Sequence, residues 1–203
     1  MTDFDAFCHP IVMHSVILRS EATKDLQSDM KDLSHIKAFA LDIDGVATDG
    51  GVFCNAEGDL LRTYDAKDGF ALRMAVMNGY PVAIITGGRS ESIRKRMVTS
   101  GVKPEDVFLH CRDKRDEFGI FCERYGLQPS EVMYFGDDVP DIDVLKACGC
   151  GVCPSDAVDE VKAIADWVSP YPGGKGCLRH SIETVLRSQG KWVFNPVQYK
   201  KQF

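Results

Sequence analysis

Five short apolar runs recur along the chain with helix-patterned segments between them: Phe39 to Leu41, Val82 to Thr86, Asp106 to His110, Val132 to Gly136, and Gly149 to Cys153. Runs of this length, separated by helical periods, specify βαβ units and a parallel sheet with helices on both faces, a Rossmann-like α/β fold. A ligand of such a sheet sits beyond the carboxyl ends of its strands. What each run stops on therefore matters most. The first stops on Asp42-Ile43-Asp44-Gly45, the second on Thr86-Gly87-Gly88, and the fourth on Gly136-Asp137-Asp138-Val139-Pro140-Asp141. Lys114 opens the helix that follows the third.

Asp42 and Asp44, two apart at a strand end, can lean to the same side while Ile43 faces the other. Two carboxylates in one small space are costly unless a cation, a proton or a ligand compensates. A calcium loop also opens with Asp-x-Asp, but Val46 and Ala47 stand where an oxygen ligand and the required glycine belong. A cysteine phosphatase, suggested by His110-Cys111-Arg112, fails because Glu117 occupies the place of the arginine that would cradle phosphate. The plain alternatives are an acidic turn at Asp42, an ordinary strand-to-helix loop at Thr86, a solvated charged face around Lys114, and a helix cap at Asp138.

Between the strand ends, Gly51–Asn55 and Leu60–Asp65 flank a turn-forming segment and are expected to form a projecting β-hairpin. Asp68 is expected to cap a helix carrying Phe70, Met74 and Met77 that ends at Gly79, and Ser90 to begin a helix that ends at Gly101. Further helices are expected over Lys114–Tyr125, Ile142–Cys148 and Val158–Ala163, and one through Leu178, Ile182, Val185 and Leu186. Residues 1–34 show no sustained period and are expected to be a poorly ordered N-terminal extension, with Met30 an alternative start. Residues 35–190 form the domain, and 191–203 a C-terminal tail whose Trp192 and Phe194 are candidates for contacts between subunits or a simple cover.

The net charge of −6 offers no excess of cations for nucleic acid or a membrane surface. No apolar run approaches a membrane span, and no charged segment leads into a continuous apolar stretch at the start. The protein is therefore expected to be cytoplasmic. Its eight cysteines, Cys148, Cys150 and Cys153 among them, are expected to be reduced thiols without a zinc site.

Taken in order, Asp42-x-Asp44-Gly45-Val46 with Thr48-Asp49-Gly50, Thr86-Gly87, Lys114 and Gly136-Asp137-Asp138-x-x-Asp141 resemble the four motifs of the haloacid dehalogenase superfamily. The resemblance covers most of residues 36–190. It implies Asp42 as a nucleophile forming an aspartyl phosphate and Asp44 as general acid and base. It implies Mg²⁺ held by Asp42, the backbone carbonyl of Asp44, and Asp137. Thr86, Gly87 and Gly88 would hold phosphate, Lys114 would offset its charge, and Asp138 and Asp141 would orient their neighbours.

The spacing from Asp42 to Thr86 leaves room for the hairpin and one helix, and that from Thr86 to Lys114 for one helix and one strand. Neither interval accommodates a cap domain. With Lys67-Asp68-Gly69 and Gly173-Gly174-Lys175-Gly176 before Arg179, the chain resembles the capless branch of 3-deoxy-D-manno-octulosonate 8-phosphate phosphatases. That branch implies a small phosphorylated sugar acid as substrate, Lys67 and Arg179 as anion contacts, and a homotetramer with shared active sites. Lys67 stands where many members have arginine and lacks the bidentate fork. A nine-carbon keto sugar acid phosphate is the neighbouring substrate, and a non-catalytic subunit retaining the fold is the reading from another class.

Overall fold

The structure, a computed structural model, describes residues 32–203. The expectations for residues 1–31, including the alternative start at Met30, lie outside the described residues. Eight strands and seven α-helices follow. In chain order they are β1 (Ala38–Leu41), β2 (Phe53–Cys54), β3 (Leu60–Leu61), α1 (Ala66–Met77), β4 (Val82–Ile85), α2 (Glu91–Val98), β5 (Val107–Phe108), α3 (Lys114–Tyr125), β6 (Val132–Phe135), α4 (Ile142–Ala147), β7 (Cys150–Cys153), α5 (Asp159–Lys162), β8 (Trp167–Val168), α6 (Cys177–Ser188) and α7 (Pro196–Gln202).

Six strands form one parallel sheet in the order β5-β4-β1-β6-β7-β8. Chain order runs outward from β1 in one direction, then resumes at β6 on its other side, so the ligand crevice of this topology lies at β1. Register makes the point specific. Leu41 pairs with Ile84 on one side and Phe135 on the other, which brings Asp42, Thr86 and Asp137 to the same end of three adjacent strands.

β1, β4 and β6 are buried throughout, as central strands of a two-faced parallel sheet must be. Ala38 and Ala40 turn to a face shared with Phe118, Phe121, Tyr134, Val144 and Val161 of the α3, α4 and α5 side. Phe39 turns to the other face, where its ring lies 5.4 Å from Tyr80. α1 and α6 pack against each other. Helix ends follow local chemistry: Ser90 and Asp113 cap α2 and α3 through their side chains, and Gly126 ends α3 at φ 61°.

One expectation changes. Asp65, not Asp68, caps α1, its carboxylate accepting the N–H groups of Lys67 and Asp68. Asp68 is buried instead, and accepts from the N–H of Gly176 at 3.1 Å and of Arg179 at 2.7 Å at the start of α6. The tail also has structure: Trp192, Phe194 and Tyr199 gather round Phe70 of α1, and Arg73 donates to the Tyr199 hydroxyl. The hairpin of β2 and β3 pairs Phe53 with Leu61 and leaves both exposed. The seven described cysteines carry free thiols.

Candidate active site

β1 delivers Asp42 into a tight loop. The N–H groups of Val46, Ala47 and Thr48 all donate to the Ile43 carbonyl, and the Thr48 hydroxyl donates to it as well. Gly45 supplies φ 85° at the turn. A methyl on Gly45 would overlap the Asp137 carboxylate, so glycine here makes the room in which Asp137 sits. Asp42 Oδ1 accepts from the Ile43 N–H at 2.6 Å, and Oδ2 lies 2.9 Å from Lys114 Nζ.

Lys114, the first residue of α3, is buried between two carboxylates, with Asp141 Oδ1 at 2.7 Å on its other side. Asp141 is wholly buried and fully engaged. Its Oδ1 also accepts from the Tyr134 hydroxyl at 2.6 Å, and its Oδ2 accepts from the N–H groups of Asp137 and Asp138 at 3.2 and 3.3 Å. Asp138 Oδ1 caps the short turn that follows by accepting from the Val139 N–H at 2.8 Å. Thr86 Oγ1 accepts from the Gly88 N–H at 3.1 Å, so that amide is already spent and the hydroxyl proton is free to point elsewhere.

Asp42, Asp44, Thr86, Gly87, Gly88, Lys114, Asp137, Asp138 and Asp141 line one cavity of 410 Å³. Lys67 and Arg179 are absent from that lining. Lys67 is exposed on the first turn of α1. The Arg179 guanidinium pairs with Glu183 at 2.5 Å and lies 4.7 Å from the Trp192 ring centroid, so its charge is engaged on α6. Two more cations reach the site, of which sequence reasoning had noted Arg112 as a neighbour of Lys114 and had missed Arg62. Arg112 lines the cavity, and Arg62, just after β3, forks onto Asp44. The signal for Arg62 was a single arginine inside a β-patterned run beside the acidic loop.

The electrostatics favour a cation. Oxygens of Asp42, Asp137 and Asp141 lie within 4.8 Å of one another, and Asp137 Oδ1 is buried without a hydrogen-bond partner. Burial raises the Asp137 carboxyl to about 7, with the Asp42 charge adding to it. Burial likewise raises Asp42 to about 6 against the opposing pull of Lys114. Because Asp141 has no oxygen to spare, Asp42 and Asp137 are the carboxylates left to face a metal, and hard oxygen donors suit Mg²⁺.

A family model described as haloacid dehalogenase-like hydrolase matches residues 106–176. The 3-deoxy-D-manno-octulosonate 8-phosphate phosphatase KdsC of Haemophilus influenzae is 32% identical over 167 residues, 82% of this chain and 92% of that protein. The chain belongs to the haloacid dehalogenase-like hydrolases. Solved structures of such hydrolases superpose on it. That of the 3-deoxy-D-manno-octulosonate 8-phosphate phosphatase from Moraxella catarrhalis, in complex with magnesium ion, phosphate ion and KDO, has a TM-score of 0.75 at 29% identity, covering 79% of this chain and 91% of that one. The cobalt-bound Haemophilus influenzae enzyme has a TM-score of 0.76 at 31% identity, covering 83% and 98%. In this hydrolase the four expected motifs converge on a single cavity at the carboxyl end of the sheet.

Proposed function

We propose that the protein is a cytoplasmic, Mg²⁺-dependent phosphatase that hydrolyses 3-deoxy-D-manno-octulosonate 8-phosphate, supplying the free sugar acid for lipopolysaccharide precursors. The observation that carries this reading is the meeting of Asp42 and Asp137, ends of separate strands, beside a buried Lys114. Asp42, the Asp44 carbonyl and Asp137 would hold Mg²⁺, which supplies positive charge against the phosphoryl oxygens.

Asp42 is the nucleophile: a carboxylate oxygen attacks phosphorus in line, and the bond to the sugar oxygen breaks. Asp44 gives its proton to that departing oxygen, then takes one from the water that hydrolyses the aspartyl phosphate. Lys114 holds Asp42 in place and offsets charge spread over the phosphoryl group. The Thr86 hydroxyl and the Gly87 amide bind phosphate oxygens, and Gly88 keeps the loop close, since a methyl there would meet Ile93 at 2.7 Å. Asp141 and Asp138 position Lys114, Asp137 and the turn between them. Lys67 is assigned to the substrate carboxylate, and the exposed Phe53 and Leu61 to the contact through which hairpins of a homotetramer cover neighbouring sites. Arg179, with its guanidinium engaged, is assigned to holding the tail.

The deciding experiment compares eight- and nine-carbon 2-keto-3-deoxy sugar acid phosphates with and without chelator. The expected result is preferential release of phosphate from the eight-carbon substrate, lost with EDTA and restored by Mg²⁺. Preference for the nine-carbon ester would move the protein to that neighbouring substrate. No release from any ester would leave a subunit that keeps the fold without turnover.

A further inference from the structure

Arg62 lies directly after β3, and its side chain is only 4% exposed although it carries a charge. Nε donates to Asp44 Oδ1 at 2.6 Å and Nη2 to Asp44 Oδ2 at 2.8 Å, while Nη1 donates to the Leu60 carbonyl at 3.3 Å. This is the two-bond fork that a guanidinium makes with a carboxylate, and it fixes orientation as well as distance. The same Nη2 lies 3.4 Å from where a methyl on Gly88 would sit, so the guanidinium stands between Asp44 and the Thr86-Gly87-Gly88 loop. The direction in which Asp44 points is therefore set by the hairpin, eighteen residues further along the chain.

We infer that Arg62 is a positioning residue for the second half of the reaction, holding the Asp44 side chain in the direction of the water that attacks the aspartyl phosphate. In that step the water oxygen bonds to phosphorus, the bond from phosphorus to Asp42 breaks with its electron pair returning to Asp42, and the water proton passes to Asp44. The fork suits this half because it holds Asp44 by both oxygens and so fixes the direction from which it meets the water. The first half differs with the ester used: an aryl phosphate loses a stable phenolate that needs no proton. The inference rests on the phosphatase reading above, and p-nitrophenyl phosphate separates the two halves.

The experiment measures kcat, kcat/KM and the pre-steady-state release of p-nitrophenol for the wild type, Arg62→Gln and Arg62→Lys with Mg²⁺. A melting curve for each variant checks that it is folded. Because kcat/KM reports only steps up to phosphorylation, the glutamine variant should keep it within about threefold while kcat falls about 100-fold, the scale of a lost general base. A burst of p-nitrophenol equal to the enzyme concentration should appear. Lysine keeps the charge but not the fork, and should recover kcat by no more than about tenfold. A parallel fall of kcat and kcat/KM in both variants, or no change in either, would overturn the assignment of Arg62 alone. A wild type that releases neither p-nitrophenol from this ester nor phosphate from the eight-carbon sugar acid phosphate would overturn the phosphatase reading together with it.

Discussion

Asp137 holds its carboxyl buried at a cost in stability to the metal-free protein above neutral pH. Its carboxyl is raised to about 7, first by burial and then by the neighbouring charges of Asp42 and Asp141. The native state thus holds this proton more tightly than the unfolded chain does. The stability that this contributes to the metal-free protein is full below the ordinary carboxylate value of 3.8 and is lost as pH rises through about 7. Asp137→Asn removes the penalty: in EDTA at pH 8 the variant should melt about 2–4 °C above wild type, the scale of about 1 kcal/mol. That advantage should shrink toward pH 4.5, and added Mg²⁺ should raise the melting temperature of wild type but not of the variant. Lys114 works the other way. Removing it in Lys114→Ala leaves Asp42 and Asp141 buried without their shared cation, and should cost about 3 kcal/mol in denaturant unfolding along with activity. Asp42, Thr86, Lys114 and Asp137 were legible in the sequence because each closes or follows a strand. Arg62 was not, because its partner lies eighteen positions away and no local period marks the pairing.

Among elements, α1 and α6 are joined by one carboxylate. Asp68 accepts from two N–H groups in the first turn of α6, where no side chain of that helix caps it. Just upstream, the Gly174 N–H donates to the Val46 carbonyl at 2.9 Å, and a methyl on Gly173 would overlap the Gly45 carbonyl. The loop before α6 is therefore the backing of the loop that carries Asp42. Asp68→Ala should lower stability by about 1–2 kcal/mol, the value of a lost helix cap. Hydrogen exchange should quicken at Gly174 and at the Val46–Thr48 amides, with α3 unaffected. The helix start at Ser90 was readable because the amide it serves is its neighbour in sequence. Asp68 was misread for the opposite reason: its local spelling looks like a cap, and the amides it serves are more than a hundred residues downstream. β8 and α7 went unread because a two-residue strand and a seven-residue helix carry too little period to register.

For the whole molecule, the parallel sheet and its strand-end site followed from alternation and spacing, since both are set by local pattern and by the handed geometry of βαβ units. Assembly does not follow from one chain, and it belongs to the proposal. On that proposal light scattering should show a homotetramer, with the exposed apolar pair Phe53 and Leu61 of the hairpin at the contact. Replacing both by Asp should shift the protein to smaller species and lower kcat/KM for the sugar acid phosphate more than for p-nitrophenyl phosphate. A dispersed variant with full activity on both would separate assembly from catalysis.

The central claim is that phosphorus passes through Asp42, and rapid acid quench tests it most directly. Enzyme mixed with ³²P-labelled ester and Mg²⁺, stopped within the first turnover, reduced with borohydride and digested should carry its modification at residue 42, converted to homoserine. No modification should form in Asp42→Asn or in the presence of EDTA. Turnover without any labelled enzyme, or modification at a residue other than Asp42, would contradict the account.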